Sequence, residues 1–210
     1  MKLAILGATG KTGIEVVKQA LQAGHHVHAL VRTPAKLGMT HANLTVIQGD
    51  AMNAADVSKA LQGTEAVINA LGHVKGSPDN LQTVVIEHVL NAMKANNIKR
   101  LVTLSGGGVR FPGDKPKFID HFFKFLLSML SPKVLKDGER HIEILKKSNV
   151  EWVVVRGPRL NDNPHTGRYK VGMIGDEGMS TQCSRANVAD FMLKCTSDNQ
   201  WVGKGPFITE

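Results

Sequence analysis

The sequence predicts an α/β fold, a mainly parallel sheet flanked by helices. Three observations carry this. Short apolar runs alternate with amphipathic helical stretches along nearly the whole chain. The apolar runs are continuous rather than alternating, as strands buried on both faces require. A glycine-rich turn joins the first run to the first helical stretch.

The elements follow in order. Lys2 to Leu6 is an apolar run ending in glycine. Thr12 to Ala23 carries Ile14, Val17 and Leu21 at helical spacing, and Gly24 closes it. Val27 to Val31 and Leu44 to Gln48 are the next strands. Asn53 caps a helix through Val57 and Leu61 that Gly63 ends, and Ala66 to Ala70 is a fourth strand. Ser77-Pro78 supplies a cap and a first-position proline for a helix reaching about Asn96. Arg100 to Ser105 is a fifth strand. The helical stretches Phe118 to Leu130 and Pro132 to Ser148 are separated at Ser131-Pro132. Val150 to Arg156 is a sixth strand. A loop rich in Asn, Gly and Pro follows, then a helix from about Arg185 to Cys195 and a short strand near Phe207.

A length of 210 residues suits one domain, 1–210, with helices on both faces of a full sheet. No stretch approaches the about 20 apolar residues of a membrane span. The N-terminus lacks the layout of a secretion signal, so a cytoplasmic location is expected. The net charge of +8 favours polyanionic ligands. The lysines are scattered, and one Tyr and two Trp offer little for base stacking, so nucleic acid is not expected as a partner. Cys183 and Cys195 fit no metal spacing and read as idle thiols. His26 and His28 share a strand face with no third ligand evident, so no metal site is expected.

Gly7-Ala8-Thr9-Gly10-Lys11-Thr12-Gly13 lies between the first strand and the first helix. Glycines so spaced allow a tight turn and a close approach of backbone N–H groups to a pyrophosphate, and the helix N-terminus adds its positive dipole end. The setting predicts a doubly wound Rossmann-type domain binding a dinucleotide. Gly10-Lys11-Thr12 imitates the end of a P-loop, but the glycine that a P-loop needs five residues earlier is Ile5.

NAD enzymes of this fold hold the ribose 2′-hydroxyl with an acid about 20 residues past the glycines. Here no acid stands between Glu15 and Asp50. The second strand ends in Val31-Arg32-Thr33, with Lys36 nearby, and a guanidinium suits a 2′-phosphate. NADP(H) is the expected cofactor, with a solvated loop cation as the plain alternative for Arg32. Ligands of such sheets sit beyond the carboxyl ends of the strands. That rule places Asp50, with Ala51 beside it, near the adenine edge, and Ala70-Leu71-Gly72 along the cofactor.

These motifs, with Ala55-Asp56-Val57, Gly157-Pro158-Arg159-Leu160-Asn161-Asp162, Thr166-Gly167-Arg168-Tyr169 and Phe191-Met192-Leu193-Lys194-Cys195, resemble the atypical short-chain dehydrogenase/reductase group. Within it the chain is similar to the biliverdin-IXβ/flavin reductase family and its NmrA-like relatives. The resemblance implies an NADPH-dependent reductase acting on a flavin, a tetrapyrrole or a quinone-like acceptor. It also implies that Ser105 is the serine these enzymes keep at the end of strand five, and that Pro158 contacts the cofactor. Arg159 stands where the biliverdin-IXβ reductase carries a histidine, and Gly138 replaces another. Ser105 and Arg159 are thus the catalytic candidates. Each also has a plain reading: a small residue where backbone meets cofactor, and a cation covering a strand end.

Most short-chain dehydrogenases move a proton with a Tyr-x-x-x-Lys pair. The single tyrosine here, Tyr169, is followed four residues later by Met173. A conjugated ring takes hydride without that acid, which agrees with the resemblance. A non-catalytic NADP(H)-sensing regulator agrees equally well. A sugar-nucleotide epimerase does not, because it needs the pair and a substrate domain. Glu143 and His141 read as helix-surface residues. Phe118 to Leu130 is apolar nearly all round, which predicts cover on more than one side, as a roof over the acceptor pocket or as a homodimer contact, with a membrane surface as a third option.

Overall fold

The computed structural model describes the backbone of residues 1–210 and all side chains except those of Ile119, Asp120, Phe123, Lys124 and Leu127. Ten strands and six α-helices follow one another. They are β1 (Lys2–Leu6), α1 (Lys11–Gln22), β2 (His26–Val31), β3 (Leu44–Gln48), α2 (Ala54–Leu61), β4 (Ala66–Asn69), α3 (Leu81–Ala95) and β5 (Arg100–Gly106). Then come α4 (Phe118–Leu130), α5 (Pro132–Lys146), β6 (Glu151–Gly157), β7 (Arg159–Asn161), β8 (Lys170–Gly172), β9 (Gln182–Ser184), α6 (Arg185–Lys194) and β10 (Phe207–Thr209).

The main sheet has the order β3-β2-β1-β4-β5-β6-β10-β8. Its pairings are parallel except that of β10 with β8. This is the doubly wound Rossmann-type architecture. Alternate strand residues feed opposite cores. Leu3 and Ile5 of β1 pack with Val16, Val17 and Ala20 of α1 and Val188 of α6. Ala4 and Leu6 pack on the other face with Val57 of α2, Val85 and Val89 of α3 and Ile142 of α5. The α1 C-terminus closes as read: Gly24 takes φ +77, and the Gly24 and His25 amides donate back to Leu21 and Ala20 at 3.0 and 2.9 Å. Asn53 Oδ1 accepts from the amides of Ala55 and Asp56, capping α2.

Several expectations need correction. Ser77-Pro78 does not cap α3. The Ser77 hydroxyl accepts from the Val74 amide at 3.0 Å within a turn, and the helix begins at Leu81. β3 is an edge strand, so only Ile47 of its five residues is buried. The stretch read as loop after β6 holds β7 and β9, which pair in a separate two-stranded sheet, and β8. Each spans three residues, too few for a periodic signal. Within the chain one face of α4 stays exposed, with Phe118 88% and Leu130 73% exposed, so any cover of that face comes from outside the chain. Phe123 and Leu127, part of the same expectation, lie outside the described side chains. Cys183 and Cys195 are buried free thiols, and burial pushes both up to about 12, so they are idle as read.

Candidate functional site

The parallel register brings the carboxyl ends of six neighbouring strands into one row. In sheet order these ends lead into Asp50 and Ala51, Arg32, the Gly7–Gly13 turn, Ala70–Gly72, Ser105, and Pro158–Arg159. The strand order reverses between β1 and β4, the position where such sheets open a crevice.

The glycine turn is the tightest part of that row. Gly7 has φ +76, and a Cβ on it would lie 2.8 Å from the carbonyl carbon of Ala70 and the amide nitrogen of Leu71. A Cβ on Gly13 would lie 2.0 Å from the Gly7 oxygen, so no larger residue fits where α1 leaves the turn. The Gly10 amide donates to Gly7 O at 2.9 Å, and Gly10 caps α1 with no side-chain bond and no acid in the first turn. The first amides of α1 therefore present uncompensated positive potential beside a backbone cradle. A pyrophosphate fits these residues.

Along the row, the Gly49 amide donates to Val31 O at 3.0 Å, holding the ends of β2 and β3 together. Arg32 and Lys36 are both exposed, Lys36 on the short 3-10 turn Pro34–Lys36. Asp50 is half-buried: its amide donates to Asp56 Oδ2 at 2.9 Å and its Oδ1 accepts from the Met52 amide at 3.0 Å. Ala51 is buried, and His88 Nδ1 lies 3.2 Å from its carbonyl. Ser105 is buried on β5, in register with Arg156 on β6. The Arg159 side chain is exposed and its backbone joins β7 to β9. Thr12 is buried, whereas Lys11 is exposed and reaches Asp162 at 2.8 Å. Asp162 also holds Arg185 at the start of α6. Lys11 first, and then Arg185, keep its carboxyl below the usual carboxylate range. A cavity of about 300 Å³ opens beside these three residues, with Glu15 and His165 on its wall.

Two buried acids escaped the sequence reading. Asp114, on the loop after β5, meets Arg156 Nη1 and Nη2 at 2.7 and 2.8 Å. Arg156 is wholly buried and also donates to the carbonyls of Val109 and Gly205. Burial alone would raise the Asp114 pKa, but the Arg156 bonds and the Phe111 and Ile174 amides outweigh it and lower the pKa. Asp137 of α5 accepts from the Gln82 amide at 2.7 Å, the Thr83 amide at 3.0 Å and the Thr83 hydroxyl at 2.5 Å. Its Oδ2 also meets Nε2 of His73, the residue after Gly72, at 2.8 Å. These bonds again outweigh burial and lower the Asp137 pKa. No sequence spacing signals either group, because each joins positions at least 42 apart.

His141 and Tyr169 complete the account. His141 is fully buried, contrary to the helix-surface reading, and its Nε2 has no partner among the described residues. Tyr169 donates to Asp190 Oδ2 at 2.6 Å and accepts from Lys194 at 2.8 Å. Burial and Asp190 push the phenol up to about 12. Lys194 ends α6 and lies nine residues, about 13 Å of helix, from the Arg185 end that meets Asp162 and Lys11. Among the described residues no group of three His, Cys, Asp or Glu is arranged to hold a metal.

Fold and cradle together define a dinucleotide-binding α/β protein. A family model described as NAD(P)H-binding matches residues 7–199, and the chain belongs to that family. It is 24% identical over 182 residues to the uncharacterized protein YwnB of Bacillus subtilis, covering 82% of this chain and 79% of that one. It is 27% identical over 159 residues to the photosystem II assembly factor Ycf39 of Synechocystis, covering 74% of this chain and 44% of Ycf39. Two solved structures share the fold across 100% of this chain. One is a short-chain dehydrogenase/reductase of Veillonella parvula in complex with NADP (TM-score 0.79, 20% identity, 94% of that chain). The other is the oxidoreductase ylbE of Lactococcus lactis (TM-score 0.81, 18% identity, 91% of that chain). The chain is thus NAD(P)H-binding.

Proposed function

We propose that the protein is an NADPH-dependent reductase that passes hydride to a flat conjugated acceptor of the flavin, tetrapyrrole or quinone type. The observation that carries the choice of acceptor is the state of the single tyrosine. Tyr169 is engaged by Asp190 and by Lys194 at the end of α6, with its pKa pushed up to about 12, whereas Lys11 of the glycine turn meets Asp162 and through it Arg185 at the start of α6. A ketone needs an acid at the carbonyl oxygen as hydride arrives; a conjugated ring spreads the charge and takes its proton from water. Fold neighbours support the reading: the Veillonella structure holds NADP, and ylbE is an oxidoreductase.

When bound, the cofactor supplies the hydride. The amides of Thr9 to Gly13, beside Gly7, hold the pyrophosphate, and Arg32 with Lys36 takes the 2′-phosphate. Asp50 and Ala51 would hold the adenine end, and Ala70, Leu71, Gly72, Ser105 and Pro158 would line the cofactor and position it for transfer. Arg159 meets acidic groups of the acceptor.

The test is NADPH oxidation with FMN, riboflavin, a quinone, biliverdin and simple ketones. Turnover is expected with members of the first four and not with ketones. S105A is expected to slow turnover by less than about 100-fold, since no essential proton passes through it. Tight NADPH binding without turnover on any acceptor would replace the reading with that of an NADP(H)-sensing regulator.

A further inference from the structure

We propose that α4 docks the protein on the surface of an anionic lipid bilayer. Ten large hydrophobic side chains are exposed among the described residues, and seven of them lie between residues 118 and 134. Phe118, Phe122, Phe125, Leu126, Met129 and Leu130 recur at the three- and four-residue spacings that put them on one face of α4. With 13 residues, α4 is about 20 Å long, and among the described residues no helix is long and apolar enough to cross a membrane. A stripe of this length suits the interface plane, with its apolar face at the boundary of headgroups and acyl chains.

The charge around the stripe selects the occupant. Residues 110–140 hold seven Lys or Arg and four Asp or Glu. Two of those acids, Asp114 and Asp137, are buried in internal bonds and offer nothing outward. Lys115 and Lys136 are exposed at either end of α4, and Lys133 is exposed although bridged to Asp79 at 2.7 Å. Basic residues beside an apolar stripe complement an anionic surface. A second copy would bring the same basic flanks face to face across a two-fold axis, which opposes the contact. Docking does not depend on the acceptor. Its consequence for the reductase reading is one of connection: a single loop, 107–117, joins the carboxyl end of β5 to α4, so docking tethers that end of the sheet to a surface where apolar ring compounds dissolve.

The experiment is co-sedimentation of the full chain with phosphatidylcholine vesicles and with vesicles that also contain phosphatidylserine. Binding to the second and not the first, weakened by salt, is expected. F118D/F125D is expected to abolish it, and K115E/K136E to weaken it by about 10-fold or more. NADPH affinity, measured alongside, is expected to stay unchanged in both variants, which separates lost docking from lost folding and from failure of the reductase reading. A parent protein that binds neither vesicle overturns the proposal. So does a parent dimer by light scattering that F118D/F125D converts to monomer without any vesicle binding, which would make the stripe a contact between copies.

Discussion

On the proposed reading, Arg32 carries the cofactor choice on one side chain. It stands exposed just past β2, where NAD enzymes place an acid, and no acid of this chain precedes Asp50 after Glu15. One charge-assisted phosphate contact is worth at least about 1.4 kcal/mol, a factor of about 10. NADPH is therefore expected to bind at least about 10-fold tighter than NADH by calorimetry, and R32E to erase or invert the ratio. Equal affinities in the parent protein would show that Arg32 is only a solvated cation. Gly13 is the opposite kind of residue. It matters for the atom it lacks, because a Cβ there would run into the Gly7 oxygen at 2.0 Å.

At the scale of elements, α3 is capped from another helix. Asp137 of α5 takes the Gln82 and Thr83 amides, and four residues on along α5 His141 packs beneath this cap, its Nδ1 3.4 Å from Gln82 Oε1. Burial, only partly opposed by the Asp137 charge, lowers the His141 pKa from 6.5 to about 4. A histidine held neutral in the fold stabilises fully above pH 6.5. As pH falls from 6.5 toward 4, the unfolded chain binds a proton that the folded one refuses, and stability drops by about 3 kcal/mol. Asp137, whose folded pKa is lowered, adds a separate loss only below its ordinary 3.8. H141L is expected to flatten the first decline, followed by urea unfolding across that window; an unchanged slope would assign the decline to other groups. The same elements show what sequence could reveal. The glycine turn, the Asn53 cap and the Gly24 stop are contiguous signals and were legible. The α3 cap was not, because Ser77-Pro78 imitates one locally while the real acceptor lies 55 residues away, where only the packing of α3 on α5 brings it. The buried state of His141 was hidden too, since a histidine among charged helix residues carries no burial signal.

Across the whole molecule, the Arg156–Asp114 pair links the sheet to the loop that leads into α4. Arg156 lies next to the carboxyl end of β6 and is wholly buried, with Asp114 almost so. Removing the acid alone leaves a buried guanidinium without its counter-charge, so D114A is expected to cost about 3–5 kcal/mol in urea unfolding. D114L/R156M is expected to recover much of that, because an apolar pair carries no desolvation cost. If the single variant loses less than about 1 kcal/mol, water already reaches the pair.

The place of β10 in the sheet has a consequence in time. It is last in chain order, yet it sits between β6 and β8, and β8 pairs with no other strand. Glu210, just beyond, accepts from the Ser184 amide and the Asn187 side chain, tying β9 and α6 to the same segment. The half of the sheet from β3 to β6 can pair without β10, whereas β8 has no place in the sheet until the final strand is in, and β9 is fixed to that segment through Glu210. Folding is expected to be biphasic in space, with Arg159 and its surroundings the last to reach their native places.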